Sequence, residues 1–264
     1  MAELSSKNTA KLVVYLVLAI ASAGEIDATT IRLYNACPFT IWPAWLSNAG
    51  KPQLGPGGIK LNPWQSYDVY ALNNWAGRFW GRTGCDLDGY YPRGCDTGDC
   101  NRTISCNTPG ATPTTLVEYS LHNNNVDNYD VTLVDGYNLP IRVSPSHPGC
   151  SIAGCRADIN VHCPPELAVR NADGYVMACK SACLAFPAED RFCCRNQYDN
   201  EHCPNNEYAA RFKDSCPSAI TYKYDRENSS FRCPSGTDYT ITFCPSGNAE
   251  DGIITLGRRE KEDA

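Results

Sequence analysis

The sequence contains no apolar run long enough to cross a bilayer as a helix, which takes about 20 residues. Its longest is Leu12–Ala21, half that length. A membrane-spanning protein is therefore not expected. Zinc-binding patterns are also missing. No two cysteines are spaced C-x2-C, and the four histidines, His122, His147, His162 and His202, show no H-x3–5-H spacing. Structural zinc sites use such close pairs, so no metal and no other cofactor is expected. Nor is there an excess of positive charge. Lys and Arg number 23 against 29 Asp and Glu, a net charge of −6. A mildly acidic chain repels polyanions, which argues against nucleic acid as a partner.

What is present begins with a charged and then apolar start. Lys7 and Lys11 precede Leu12–Ala21, and the small residues Ala21-Ser22-Ala23 follow. This order reads as a secretory leader over residues 1–28. Cleavage before Gly24 and cleavage after Ala28 both fit. Loss of the leader changes the net charge by only one unit, because it carries two lysines and three acids.

All sixteen cysteines lie beyond that leader. An even number in an exported chain implies eight disulfides formed in an oxidising compartment. No thiol is then left over as a nucleophile. Spacing cannot select the pairing, since sixteen cysteines allow about two million combinations.

Between the cysteines a two-residue rhythm dominates. Ile31 and Leu33 alternate with Arg32 and Tyr34. Tyr67, Val69 and Ala71 alternate with Asp68 and Tyr70, and Tyr239, Ile241 and Phe243 with Asp238, Thr240 and Thr242. Turn clusters such as Gly55-Pro56-Gly57-Gly58 separate these segments. The pattern predicts short antiparallel strands in a β-sandwich, one domain over residues 29–246. From 150 to 216 the rhythm fades while nine of the cysteines crowd in. That stretch is expected to be a loop-rich subdomain held by bridges rather than by an apolar core, with helices at Cys179–Phe186 and Glu207–Lys213. The charged tail, 247–264, is expected to be solvated and disordered.

The same parity isolates a set of carboxylates. In Leu116–Leu121, Val117, Tyr119 and Leu121 share one face, and Glu118 and Ser120 the other. In Asp130–Leu133, Asp130 and Thr132 oppose Val131 and Leu133. If the two segments pair as a hairpin around an Asn-rich loop at His122–Asn128, Glu118 and Asp130 share the polar face. Two carboxylates flanking a sugar bond are what glycoside hydrolysis uses. The tryptophans Trp42, Trp45, Trp64, Trp75 and Trp80 are candidates for stacking on sugar rings or for filling the sandwich.

Specific motifs go further. Trp80-Gly81-Arg82-Thr83-Gly84-Cys85 is followed by Cys95-Asp96-Thr97-Gly98-Asp99-Cys100. Then come Thr115-Leu116-Val117-Glu118-Tyr119, Leu133–Pro140, the vicinal Cys193-Cys194, and Phe243-Cys244-Pro245. Together they resemble the thaumatin-like proteins, the fifth group of plant pathogenesis-related proteins, over residues 29–246. The resemblance implies a flattened antiparallel β-sandwich with disulfide-rich loop subdomains containing short helices. It implies the pairs Cys37–Cys244, Cys85–Cys95, Cys100–Cys106, Cys150–Cys233, Cys155–Cys216, Cys163–Cys179, Cys183–Cys193 and Cys194–Cys203.

The resemblance also implies an acidic cleft, with Arg78, Glu118, Asp130 and Asp135 in matching places. A further family Asp is absent, because Cys216-Pro217-Ser218-Ala219 has Ser218 at its position. Asp225 is near in sequence. Two other departures are Tyr91-Pro92-Arg93, where glycines are usual, and Asn101-Arg102-Thr103 after Cys100. The latter is an N-glycosylation sequon, as is Asn228-Ser229-Ser230.

The function implied is a secreted, monomeric, antifungal defence protein that binds β-1,3-glucan of fungal walls. Alternatives are weak endo-β-1,3-glucanase action through Glu118, Asp130 and Asp135, or a membrane-perturbing or hydrolase-inhibiting interaction protein. The expected location is the apoplast, or the vacuole if the tail is a targeting peptide.

Overall fold

The computed structural model describes residues 28–225 and 229–245. The leader and the charged tail lie outside the described residues, apart from Ala28.

One five-stranded sheet has β3 (Ser66–Leu72) at one edge, then β1 (Ala28–Asn35), β12 (Tyr239–Phe243), β7 (Ile141–Pro145) and β8 (Ala153–Cys155). The second runs β11 (Ser230–Pro234), β6 (Val126–Thr132), β5 (Leu116–Asn123), β4 (Ala76–Arg82) and β2 (Trp42–Ser47). Alternation decides which side chains enter the space between the sheets. Ile31, Leu33, Ile241 and Phe243 from the first meet Phe79, Val117 and Val131 from the second, all fully buried. Tyr239 locks the layers together, its ring 5.2 Å from both Tyr119 and Tyr129. Its hydroxyl donates to buried Asp127 at 3.0 Å, so the polar tip is satisfied inside the core.

The neighbours β1 and β12 run parallel, although they are the first and last strands described. Cys37, two residues past the end of β1, and Cys244, one past the end of β12, form a bridge with Cα atoms 4.9 Å apart. The others are Cys85–Cys95, Cys100–Cys106, Cys150–Cys233, Cys155–Cys216, Cys163–Cys179, Cys183–Cys193 and Cys194–Cys203. No cysteine is free. His147 lies beside Cys150 and Cys233, whose sulfurs are committed to a bridge and offer no thiolate.

Two sequence expectations need correction. The helix over Cys179–Phe186 is only α1 (Ala182–Ala185), capped by the Ser181 hydroxyl accepting from Leu184 N. Cys179 instead ends β10 (Val176–Cys179), which pairs with β9 (Ala168–Arg170), because its backbone bonds both ways with Tyr137. The apolar side chains of the bridged subdomain pack onto the sandwich core, Phe186 and Tyr208 among them. Besides α1 and α3 (Glu207–Ser215) the subdomain holds α2 (Asp190–Cys193), and Phe186, Phe192 and Tyr208 form a ring cluster at 5.4–5.9 Å. Finally, the loop expected over His122–Asn128 is a two-residue turn. Asn124 and Asn125 both take positive φ, 54° and 63°, which suits the tight reversal of a twisted hairpin.

Candidate functional site

The outward face of the second sheet is built in rows. Residues two apart on a strand share a face, and strand pairing lines them up across the sheet. The first row, Ala44–Trp80–Leu116–Thr132, is buried. It is covered by the arm that follows β4. Arg82, fully buried on the same face, donates to Thr103 O at 2.7 Å and Ile104 O at 2.9 Å. The Trp80 indole donates to Gly98 O at 2.9 Å.

The second row is open. Arg78 on β4 stands opposite Glu118 on β5, Glu118 opposite Asp130 on β6, and Asp130 opposite Ser230 on β11. Directly opposed side chains have Cβ atoms about 4.5–5.5 Å apart. Of the four residues matched to the acidic cleft, three therefore lie in one line across three adjacent strands. The Arg78 guanidinium is 3.8 Å from the Glu118 carboxylate, with 32% and 43% of the two side chains exposed. A pair so long and so wet contributes less than about 1 kcal/mol to stability. It leaves both groups free to meet a ligand.

Asp135 comes from the turn after β6. It is half-buried, and its carbonyl accepts from Thr114 N at 2.9 Å. Gly136, at φ 85°, follows it, and an added Cβ there would lie 2.5 Å from Pro113. Burial pushes the Glu118 carboxyl above the ordinary range, nearby Arg78 opposes this, and Asp135 adds to it. Glu118 is thus a carboxyl whose proton the site favours, and Asp130 stands directly opposite it.

The other sequence candidates fall elsewhere. Ser218, in the place of the missing Asp, is a structural tie. Its hydroxyl donates to Gly154 O at 2.8 Å and accepts from Gly154 N at 3.1 Å. Asp225 does not replace that carboxylate. It is 4% exposed and accepts both from Lys213 Nζ, at 3.0 and 2.9 Å, and from Thr221 N. Trp45, Trp75 and Trp80 are core residues, Trp42 is half-buried, and Trp64 is 66% exposed. Asn101 is exposed in the bridged arm, and Asn228 lies outside the described residues.

Ser230 and Arg232 join this face from β11, about 100 residues beyond β6 in sequence. Nothing local in the sequence signals that pairing. The alternation Ser230-Phe231-Arg232-Cys233 is its only trace.

Comparison with known proteins agrees with this architecture. The Thaumatin family model matches residues 35–245. The chain is 42% identical to a pathogenesis-related thaumatin-like protein 3.5 of Cryptomeria japonica, over 92% of this chain and 100% of that one. It is 43% identical to pathogenesis-related protein 5 of Arabidopsis thaliana, over 90% and 99%. It is 40% identical to a Prunus avium protein named glucan endo-1,3-beta-glucosidase, again over 90% and 99%. With most of its length matched by the family model and near-complete coverage of these relatives, the chain belongs to the thaumatin family.

Proposed function

We propose that this protein is a secreted plant defence protein that binds β-1,3-glucan of fungal walls on the open face of its second sheet. The observation that carries the reading is the single row of Arg78, Glu118 and Asp130, with Asp135 at its side. Carboxylates accept hydrogen bonds from sugar hydroxyls and the guanidinium donates to them. Adjacent hydrogen-bonded strands over a fully buried core hold these groups in place before the ligand arrives, which keeps the ordering cost of binding low. The Prunus avium relative's name supports β-1,3-glucan as the polymer. Sixteen paired cysteines suit an exported protein.

Hydrolysis is the second reading, favoured by one observation. A general acid needs a carboxyl that keeps its proton near working pH, and burial raises Glu118 in that direction. Asp130 or Asp135 then serves as nucleophile or base. The test is to incubate the protein with insoluble β-1,3-glucan and measure both co-sedimentation and released reducing ends. Co-sedimentation with no release supports binding alone. Release abolished by Glu118→Gln supports hydrolysis. Absence of co-sedimentation and of release rejects both readings. We further propose an N-glycan at Asn101, exposed at φ 61° in its turn, to be read as added mass on its proteolytic peptide.

A further inference from the structure

The outward face does not end at the acidic row. Two residues further along each strand lies a third row: Ala76 on β4, Ser120 on β5, Asn128 on β6 and Arg232 on β11, each opposite the next. Ser120 and Asn128 are half-buried and Arg232 is exposed. As in the acidic row, the β4, β5 and β6 members are half-buried and the β11 member is exposed, so the accessible polar face continues from one row into the next. The arm held by Arg82 covers the first row at β4, and the third row adjoins Glu118 and Asp130 on the other side, so an elongated ligand seated on the acidic row can extend over it.

We infer that Asn128 and Arg232, with Ser120, form a second sugar subsite beside the acidic row, so that the face takes an oligosaccharide rather than a single glucose unit. This rests on the glucan reading given above. Chemistry favours that occupant. The row offers a hydroxyl, an amide that both donates and accepts, and a guanidinium with five donors. The acidic row adds acceptors. Such a mixture suits a neutral polyhydroxylated chain better than an anion, which the carboxylates repel, or an apolar partner, for which the row has no large apolar side chain. The rows are about 6.7 Å apart along the strand, a step on the scale of one unit of a glucan chain. Ala76, the smallest member, leaves open the end of the row nearest β2.

The experiment is a titration of β-1,3-linked glucose oligomers of two lengths, a dimer and a hexamer, into the intact protein and into Asn128→Ala/Arg232→Ala. The wild-type protein should bind the hexamer more tightly than the dimer. The double variant should lose about tenfold for the hexamer, the scale of one or two hydrogen bonds to a charged donor, and change little for the dimer. Arg232→Lys, which keeps the charge but loses the fork of donors, should fall between. An unchanged near-ultraviolet circular dichroism spectrum shows that the fold is kept. Equal losses for both lengths, or no loss for either, would overturn the subsite while leaving the acidic row as the glucan contact. A wild-type protein that binds neither oligomer would overturn the underlying glucan reading, and the subsite with it.

Discussion

At the scale of single residues, Glu118 carries opposing influences. Burial and Asp135 raise its carboxyl, while Arg78 pulls it down. Because the folded value lies above the ordinary one, the folded chain holds this proton more tightly than the unfolded chain. The stabilisation is present below the ordinary Glu range and is lost as pH rises through that range toward the folded value. Glu118→Gln should therefore raise the melting temperature relative to wild type at pH 7, with the difference shrinking toward pH 4. The gain is kept small by the 43% of the side chain that water reaches. A difference growing toward pH 4 would contradict the assignment. Asp225 is a buried carboxylate that accepts hydrogen bonds from Lys213 and Thr221. Lys213→Met leaves that charge without its cation and should cost about 3–5 kcal/mol in chemical denaturation. In the sequence Asp225 is simply an acid seven residues beyond Ser218. Burial and pairing are properties of folded space, and no spacing encodes them.

At the scale of elements, the strands were legible because alternation is itself the physical cause of a half-buried strand. Val117, Tyr119 and Leu121 point inward as their spacing requires, and the Glu118–Asp130 pairing follows from a hairpin. The short helices were less legible. Ala-rich composition over Cys179–Phe186 favours helix locally, but the backbone of Cys179 bonds to Tyr137, a tertiary contact that overrides propensity. The arm after β4 was equally hidden, since its anchors are tertiary contacts, a buried guanidinium among them. Arg82 donates to Trp42 O, Thr103 O and Ile104 O, reaching both β2 and the Cys100–Cys106 loop. A lysine at that position offers a compact ammonium in place of a planar fork and cannot meet all three carbonyls. Arg82→Lys should thus cost about 1–3 kcal/mol for buried acceptors left without donors. It should also make residues 96–111 the first region cut by a nonspecific protease; a variant as stable and as resistant as wild type would show that the bridges alone hold the arm.

At the scale of the whole molecule, fold and face depend on contacts between distant segments. Parallel pairing of β1 with β12 closes the first sheet, and the Cys37–Cys244 bridge spans 207 residues beside it. On the chain-entropy account a loop of that length is worth about 5 kcal/mol. Replacing both cysteines with alanine should lower unfolding free energy by about 2–5 kcal/mol without changing strand content. The family resemblance, not spacing, supplied a pairing in the sequence reading, because loop closure over such distances leaves no local mark. The same holds for β11, which completes the face from the far end of the chain. The row across β4, β5 and β6 is the proposed contact for β-1,3-glucan. Calorimetric titration of soluble β-1,3-glucan into wild type and into Arg78→Ala/Asp130→Ala tests this. The prediction is saturable binding by the wild type, with at least about a tenfold loss in the folded variant. Equal binding by both proteins, or no heat of binding in the wild type, would contradict it.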